Sequence, residues 1–283
     1  MIVSGSTSQA LSAALARELG EPLAGVDYER FPDGELLVRL ADTDAERAVV
    51  VASTTTAEAH IELLQLQDAA REAGIGEVVT VLPYMGYARQ DRAFAAGDPV
   101  TARAVARALS PATDRVLTVS PHEPAVCEFF EPTAEAVTAA PLLADPLPTG
   151  LDDPVFVAPD EGATDLAAGV AERYGRGEVD HFEKVRHSGT EVEITPSEVD
   201  VDGRDVVVVD DIVATGSTMS EAVGLLAADG AASVTVACVH ALFARDARSK
   251  LARAGVDAIY ATDTVERDVS RVSVAPALAE RLE

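Results

Sequence analysis

The residues best suited to chemistry lie in the segment VVVVDDIVATGSTM, which spans residues 206–219. An apolar strand leads into two carboxylates, Asp210 and Asp211, and a Thr-Gly-Ser-Thr turn then opens a helix. A helix N-terminus presents unpaired N–H groups and the positive end of the helix dipole, and a glycine lets the backbone approach an anion closely. The pattern therefore predicts a phosphate cradle at the carboxyl end of a strand, where α/β folds bind ligands.

The side chains of this segment suit a sugar phosphate. Adjacent carboxylates point to opposite sides of a strand, so one of the two can accept hydrogen bonds from sugar hydroxyls while the other shapes the loop or holds a metal. The predicted phosphate contacts are hydroxyls and backbone N–H groups of Ala214, Thr215, Gly216, Ser217 and Thr218. The alternative is that Asp211 or Thr215 merely caps the next helix, which is the commoner role of a lone Asp or Thr.

The first half of the chain contains a second candidate segment, Phe31-Pro32-Asp33-Gly34-Glu35. Its aromatic ring can stack on a base, and its two carboxylates can accept hydrogen bonds from an exocyclic amine. The alternative is an ordinary turn with Pro and Gly between two strands.

A third segment, Tyr87-Ala88-Arg89-Gln90-Asp91-Arg92, follows a strand predicted at residues 78–82. In so acidic a chain the two arginines form a local positive region, and arginine offers bidentate geometry to a polyphosphate. A solvated cluster of ion pairs is the alternative.

A fourth segment, Ser120-Pro121-His122-Glu123, lies at the carboxyl end of a strand predicted at residues 115–119. Neutral imidazole at this position can ligate a metal, so His122 is a candidate ligand. A lone histidine is more often a structural residue whose hydrogen bonds are satisfied, which is the alternative.

Segment 206–219 resembles the phosphoribosyl-diphosphate motif of type I phosphoribosyltransferases and of ribose-phosphate diphosphokinases. The three N-terminal segments resemble the diphosphokinase family specifically, and this resemblance covers nearly the whole chain. It implies adenine contacts from Phe31, Asp33, Gly34 and Glu35, further ATP contacts from Arg89, Gln90 and Asp91, and metal binding by His122. Many members have an acidic residue where this chain has Ala214, so only a backbone role is carried over there.

Two further features of the family are found in the second half of the chain. Pro159-Asp160-Glu161-Gly162 resembles its second metal site, which implies that Asp160 binds Mg²⁺, although Ala163 replaces the usual second glycine. Lys184-Val185-Arg186 resembles the Lys-x-Arg pattern of a mobile catalytic loop. The resemblance implies that Lys184 stabilises a migrating diphosphoryl group and that Arg186 contacts the ribose phosphate or the β-phosphate.

The implied reaction transfers the β,γ-diphosphoryl group of ATP to the anomeric hydroxyl of ribose 5-phosphate, giving phosphoribosyl diphosphate and AMP for nucleotide biosynthesis. The implied cofactor is Mg²⁺, and the family is generally homo-oligomeric. A type I phosphoribosyltransferase is one alternative, although it would leave the first 140 residues unexplained. A non-catalytic homologue that regulates a synthetase is the other.

The elements that must position these residues follow an α/β pattern. Short apolar runs rich in Val and Ile alternate with helical patterns, which predicts mainly parallel sheets flanked by helices. We expect two phosphoribosyltransferase-like domains, an ATP-contacting domain over residues 1–145 and a ribose 5-phosphate-binding domain over 146–275. The boundary rests on a proline-rich segment that lacks periodicity, and a helix over 276–283 is expected to pack on either domain. A capping box is predicted from Thr55 to Glu58.

Composition limits the class of protein. The 283 residues include 22 Lys plus Arg and 48 Asp plus Glu, a formal charge of −26, so neither a nucleic-acid binder nor a membrane-surface protein is expected. Lysine occurs only at Lys184 and Lys250. This acidic composition resembles that of proteins from salt-rich cytoplasm and favours a halophilic archaeal source over an ordinary acidic protein.

The cysteines and the apolar segments bear on location. Cys127 and Cys238 match no metal spacing, which predicts reduced thiols in the cytoplasm. The N-terminus lacks the pattern of a signal peptide, and the longest apolar run, at 231–244, is shorter than the roughly 20 residues that span a bilayer.

Overall fold

The computed structural model describes residues 1–41, 43–186, 192–195 and 199–283, and for 183–186 and 192–195 it describes the backbone alone. The chain forms two compact units. Unit 1 comprises Met1–Thr138, Asp263–Glu266 and Ser273–Glu283, and unit 2 comprises Ala139–Thr262 and Arg267–Val272.

Unit 1 is built on a five-stranded parallel sheet in the order β1-β4-β5-β6-β7. Strands β2 and β3 form a separate antiparallel hairpin. Its elements are β1 (Ile2–Ser4), α1 (Gln9–Leu19), β2 (Val26–Arg30), β3 (Leu36–Leu40), β4 (Arg47–Val51), α2 (Ala57–Glu72), β5 (Glu77–Leu82), α3 (Thr101–Leu109), β6 (Arg115–Val119) and β7 (Thr133–Val137).

Unit 2 is built on a six-stranded parallel sheet in the order β15-β14-β13-β12-β8-β9, with a separate antiparallel pair β10-β11. Its elements are β8 (Val155–Ala158), α4 (Thr164–Tyr174), β9 (Glu178–His181), β10 (Glu183–Arg186), β11 (Val192–Thr195), β12 (Asp205–Val213), α5 (Ser217–Ala228), β13 (Ser233–Ala241), α6 (Ala247–Ala254), β14 (Ala258–Thr262) and β15 (Ser270–Val272). The predicted α/β class with mainly parallel sheets is confirmed.

Valine-rich central strands hold both cores together. Val49–Val51 of β4 and Val206–Val209 of β12 are almost fully buried, as expected of parallel strands that are covered on both faces. Burial of each such side chain contributes about 1.5–3 kcal/mol. The sheets are therefore rigid supports for the loops that follow their strands.

The strand order of unit 2 reverses between β8 and β12. From β8 the chain continues outward to β9, whereas from β12 it continues in the opposite direction through β13, β14 and β15. Ligands of open α/β sheets bind in the crevice beyond the carboxyl ends of the strands at such a switch point. The loops after β8 and β12 therefore have the favoured position for a binding site.

The last helix, α7 (Ala275–Leu282), belongs to unit 1 and packs on α1. Arg47 donates a hydrogen bond to the carbonyl of Leu282 at 2.8 Å. The short segment 263–266 is also held in unit 1, because Oε1 of Glu266 accepts from the N–H of Ala10 at 2.7 Å and of Leu11 at 3.0 Å.

Three local features differ from the sequence-based expectations. The division between the units follows Thr138 and precedes the boundary expected near residue 145, because the 3-10 segment Ala140–Ala144 packs on α4 of unit 2. Strand β7 was not predicted. The cap of α2 is Thr56, whose side chain accepts from the N–H of Ala59 at 3.1 Å, so the capping box predicted from Thr55 is wrong by one residue.

Candidate active site

Asp210 and Asp211 lie within β12. The sequence had suggested that they follow the strand. β12 pairs with β13 as far as Val213, whereas its pairing with β8 ends at Val208. The apolar run stops at Val209 while the hydrogen-bonded ladder continues, which is why the strand was predicted too short. Both carboxylates consequently lie beyond the last β8 pair, at the switch point.

Three carboxylates influence one another at this point. Burial raises the pKa of Asp210 well above its ordinary value, and the neighbouring charges of Asp211 and Asp160 raise it further. Asp160 follows β8, and its Oδ1 accepts from the N–H of Gly162 at 3.1 Å. Because β8 and β12 are neighbouring strands, Asp160 after β8 lies on one side of the switch point and the β12 carboxylates lie on the other.

The turn from Thr215 to Ser217 is shaped for close approach of an anion. Gly216 has φ 70° and is the N-cap of α5, so no side chain caps the first turn of this helix. A Cβ at Gly216 would lie 3.1–3.2 Å from atoms of Ala247, so a larger residue would not fit without a shift. The exposed hydroxyls of Thr215 and Ser217 and the half-buried Thr218 surround these uncapped N–H groups, and Ala214 is held because its carbonyl accepts from the N–H of Ala244 at 2.9 Å.

Lys250 is a contact of this turn that sequence reasoning missed. Its Nζ donates to Oγ of Ser217 at 3.0 Å and to the carbonyl of Thr215 at 3.3 Å. The ammonium also lies 3.3 Å from Oδ1 of Asp246. The available signal was composition, because Lys250 is one of only two lysines in the chain.

The segment Phe31–Glu35 is the tip of the β2–β3 hairpin in unit 1. The N–H of Phe31 donates to the carbonyl of Glu35 at 2.9 Å, and Oδ1 of Asp33 accepts from the N–H of Glu35 at 3.2 Å. Gly34 has φ 95°, which a residue with a Cβ adopts rarely. The turn anticipated as the alternative is present, and it exposes 40% of Phe31 at the tip, where the ring is open to stacking.

The segment Tyr87–Arg92 is fixed at one point and exposed elsewhere. Oε1 of Gln90 accepts from the hydroxyl of Thr101 at 2.7 Å, so the amide NH₂ group of Gln90 faces away from this contact. Arg89 is exposed, and within the described part of the chain neither it nor Arg92 forms an ion pair. Arg92 lies over the ring of Phe94 at 5.3 Å. The alternative of an ion-pair cluster is therefore not supported, and Asp91 is half-buried beside these arginines.

His122 follows β6 of unit 1 and is exposed. Two residues earlier, Ser120 has a left-handed backbone with φ 35°, and its N–H donates to the carbonyl of Val137 at 2.9 Å. Strand β7 thus fixes the loop that carries His122 at the carboxyl edge of the unit 1 sheet.

Lys184 and Arg186 lie on β10, where they pair with Ile194 and Val192 of β11. Two residues apart on one strand, they share a face of this hairpin. The rest of the predicted mobile loop, at 187–191 and 196–198, lies outside the described residues.

Two observations concern metal ions and membranes. Within the described ranges, no three His, Cys, Asp or Glu side chains gather as a metal-binding cluster. The helices of those ranges include none that is long and apolar enough to cross a bilayer.

Comparison with known proteins gives family models for both halves of the chain. Residues 1–112 match the N-terminal domain of ribose phosphate pyrophosphokinase, and residues 140–280 match the phosphoribosyl transferase domain. These two matches agree with the predicted order of the domains.

Similar proteins match over the full length. A ribose-phosphate pyrophosphokinase of Halobacterium salinarum is 63% identical over 100% of both chains, and one of Methanosarcina mazei is 45% identical over 99% of this chain and 94% of its own. The crystal structure of phosphoribosylpyrophosphate synthetase from Mycobacterium smegmatis superposes with a TM-score of 0.83 at 27% identity, covering 100% of this chain and 97% of that one.

Proposed function

The chain belongs to the ribose-phosphate pyrophosphokinase family, and on that premise we propose how its residues divide the transfer of a diphosphoryl group from ATP to ribose 5-phosphate. In the family reaction, O1 of the sugar attacks the β-phosphorus of ATP, giving phosphoribosyl diphosphate and AMP. A type I phosphoribosyltransferase would not need residues 1–112, which match the N-terminal domain of the pyrophosphokinase.

Ribose 5-phosphate is assigned to the switch point of unit 2, and the uncapped N-terminus of α5 is the observation that carries this assignment. The 5-phosphate would accept hydrogen bonds from the backbone and hydroxyls of residues 214–218, where the helix dipole favours an anion. Asp210 and Asp211 would accept from the ribose hydroxyls. Both carboxylates lie on β12, which ends at Val213 shortly before the Thr215–Ser217 turn.

ATP is assigned to unit 1. The exposed ring of Phe31 would stack on adenine, with Asp33, Gly34 and Glu35 completing the tip of the hairpin. Arg89 and Gln90 would donate to the phosphates, and Asp91 would orient Arg89. An arginine without an ion-pair partner is available for a polyphosphate without first losing another contact.

Mg²⁺ is the proposed cofactor, and the donor set fits it. Carboxylate oxygens are preferred Mg²⁺ ligands, and the ion usually keeps several waters and binds substrate phosphates, so one or two protein ligands suffice. Burial is the main cause of the raised pKa of Asp210, and the negative charges of Asp211 and Asp160, which raise it further, would favour a divalent cation beside these carboxylates. His122 in unit 1 and Asp160 in unit 2 are each proposed as a Mg²⁺ ligand of their own unit, and a bound ion would neutralise phosphate charge.

Lys184 and Arg186 are assigned to charge stabilisation. Phosphoryl transfer passes through a loose, highly charged transition state, so positioning and electrostatics do most of the catalysis. Lys184 would contact the migrating diphosphoryl group, and Arg186 the ribose phosphate or the β-phosphate. The two residues lie two positions apart on the backbone of β10.

We further propose a homo-oligomer located in the cytoplasm. Both cysteines are free thiols, which agrees with a reducing compartment. Light scattering after size-exclusion chromatography would test the assembly, because a monomer at micromolar concentration would contradict it.

One experiment tests the function. Protein, Mg²⁺, ATP and ribose 5-phosphate are incubated together, and the nucleotide products are separated. We expect AMP in amounts equal to the phosphoribosyl diphosphate formed, and none when the sugar phosphate is omitted. ADP in place of AMP would contradict diphosphoryl transfer. Absence of both products, with ATP still bound, would favour the regulatory homologue.

A further inference from the structure

Lys250 connects helix α6 to the turn that opens α5. Its ammonium reaches the carbonyl of Thr215 at 3.3 Å and Oγ of Ser217 at 3.0 Å, and its side chain is 28% exposed. The two partners flank Gly216, and they are separated from Lys250 by 35 and 33 residues of sequence. The contact is therefore tertiary and joins two elements.

The bond to the Thr215 carbonyl sets the direction of a donor. In a trans peptide the C=O and the following N–H point in opposite directions, so fixing the carbonyl of Thr215 on Lys250 fixes the N–H of Gly216 on the other side. Within the described part of the chain this N–H donates to no acceptor. It is available to an anion in the turn.

The bond to Ser217 sets a second donor. Oγ of Ser217 accepts from the ammonium, so its own hydroxyl hydrogen is free to donate elsewhere. Ser217 is the first residue of α5, beside the uncapped N–H groups. The hydroxyl hydrogen and those N–H groups can therefore serve the same anion.

Asp246 is a third partner of the Lys250 ammonium. Asp246 precedes Lys250 by four residues, and its Oδ1 lies 3.3 Å from Nζ. The hydrogen bond from Lys250 lowers the pKa of Asp246. The ammonium thus has three oxygen partners. A compact ammonium with three donors suits this arrangement better than the planar fork of arginine.

We propose that Lys250 is a positioning residue for ribose 5-phosphate, which orients the N–H of Gly216 and the hydroxyl of Ser217 toward the 5-phosphate. The inference rests on the proposed function, because it concerns the same turn. It also accounts for a lysine at this position in a chain that has 20 arginines and only one other lysine, Lys184.

The test compares Lys250→Met, Lys250→Arg and the control Arg253→Met. Methionine keeps most of the aliphatic stem and removes the donors. Arg253 lies on the same helix, 3.9 Å from Asp246, and 71% of its side chain is exposed, so its removal deletes an equal charge without a contact to the turn. KM for each substrate, kcat and Tm are measured for all three variants at constant Mg²⁺ and molar KCl.

For Lys250→Met we expect KM for ribose 5-phosphate to rise about tenfold or more, as for loss of a charged hydrogen bond, with KM for ATP within about twofold of wild type. Lys250→Arg should give an intermediate value, and Arg253→Met should match wild type. Molar salt screens long-range interactions between charges. A rise in KM that persists in molar salt therefore reflects the contact of Lys250 with the turn.

Three results would overturn the proposal. One is a wild-type KM for ribose 5-phosphate in both Lys250 variants, and the second is an equal rise in both Michaelis constants together with a lower Tm. The third is the same effect in Arg253→Met. If wild-type protein forms no AMP, the proposed function fails instead, so the two failures are distinguishable.

Discussion

Most of the residues with a strained, left-handed backbone lie near the candidate segments rather than at the proposed substrate contacts themselves. Of the five non-glycine residues with left-handed φ in the described part of the chain, four lie in or beside the candidate segments. They are Tyr87, Ser120, Phe243 and Arg245. Such residues cost about 1–3 kcal/mol each and are typical of active sites. Phe243 and Arg245 flank Ala244, whose N–H donates to the carbonyl of Ala214, the residue before the Thr215–Ser217 turn.

Lys184→Ala should reduce kcat by about 100-fold or more, because loss of a cation at a transferring phosphoryl group removes transition-state stabilisation. KM for ATP should stay within about threefold, since the proposed base and phosphate contacts of ATP lie in unit 1 and not at Lys184. Steady-state AMP formation measures both. Lys184→Arg serves as the control that keeps the charge, and retention of more than a third of wild-type kcat by the alanine variant would remove Lys184 from catalysis.

The half-buried carboxylate of Asp263, outside the proposed site, gives a stability prediction that depends on pH. Burial raises the pKa of Asp263, whose Oδ1 accepts from the N–H of Val274 at 2.9 Å. A raised folded pKa means that ionisation costs stability as pH rises from the unfolded pKa, about 4, through the folded value. Asp263→Asn removes this cost and can still accept that hydrogen bond.

The Tm of Asp263→Asn should therefore rise relative to that of wild type as the pH increases from about 4 to 7. Thermal unfolding at several pH values, all in molar KCl, measures it. Asp268→Asn is the matched control, because the partner Arg248 lowers the pKa of Asp268 and the trend should reverse. A difference that does not vary with pH in Asp263→Asn would contradict the assignment.

The local structure around candidate site residues was predictable where chemistry restricts residue type over a short segment. Gly216 and Phe31 belong to such segments, and the turns that hold them follow from adjacent residues, whereas Asp210 lies inside a strand that was predicted too short. Lys250 was not predictable in this way, because its contacts depend on how α6 packs against the α5 turn. Composition alone could only mark it as unusual.

At the scale of elements, buried strands were predicted better than edge strands. Strand β4 is buried along nearly its whole length and reads as an apolar run, whereas β7 alternates exposed and half-buried residues and lies at the sheet edge. Its sequence, TAEAV, carries little apolar signal. Pairing with β6 stabilises it, and pairing partners are not visible in a short polar segment.

The α5 turn can be tested by adding one methyl group. Gly216→Ala places a Cβ 3.1–3.2 Å from Ala247 in a backbone region that costs a non-glycine residue about 1–2 kcal/mol. We expect KM for ribose 5-phosphate to rise at least tenfold, with a lower Tm, because the N–H groups of the turn must shift.

Gly224→Ala is the control for that variant. Gly224 lies within the same helix and has no atom within 4 Å of an added Cβ, so alanine should raise stability by about 0.5–1 kcal/mol through helix propensity. Its Michaelis constants should equal those of wild type. If Gly216→Ala also kept them, the turn would not bind the phosphate.

At the scale of the molecule, the two units differ in topology although both are parallel α/β sheets. Only the unit 2 sheet reverses strand order in its interior; the unit 1 sheet runs from β4 to β7 in one direction, with β1 at the other edge. This difference agrees with a sugar phosphate bound at a switch point in unit 2 and ATP contacted by the hairpin and loops of unit 1. The fold class was predictable from alternating patterns, but strand order depends on long-range pairing.

The charge of −26 sets the last prediction. Both substrates are polyanions, and the cations assigned to them, Arg89, Lys184 and Arg186 with Lys250 in support, are few. At about 0.1 M salt the Debye length is about 10 Å, and at 1 M it is about 3 Å, so molar salt removes most repulsion beyond the contact range. Activity and Tm should therefore both rise with KCl toward molar concentrations, at constant free Mg²⁺. Sucrose of equal osmolarity is the control, because it does not screen charge. Full activity and an unchanged Tm in dilute buffer would contradict a halophilic protein and would leave the diphosphoryl transfer itself unaffected.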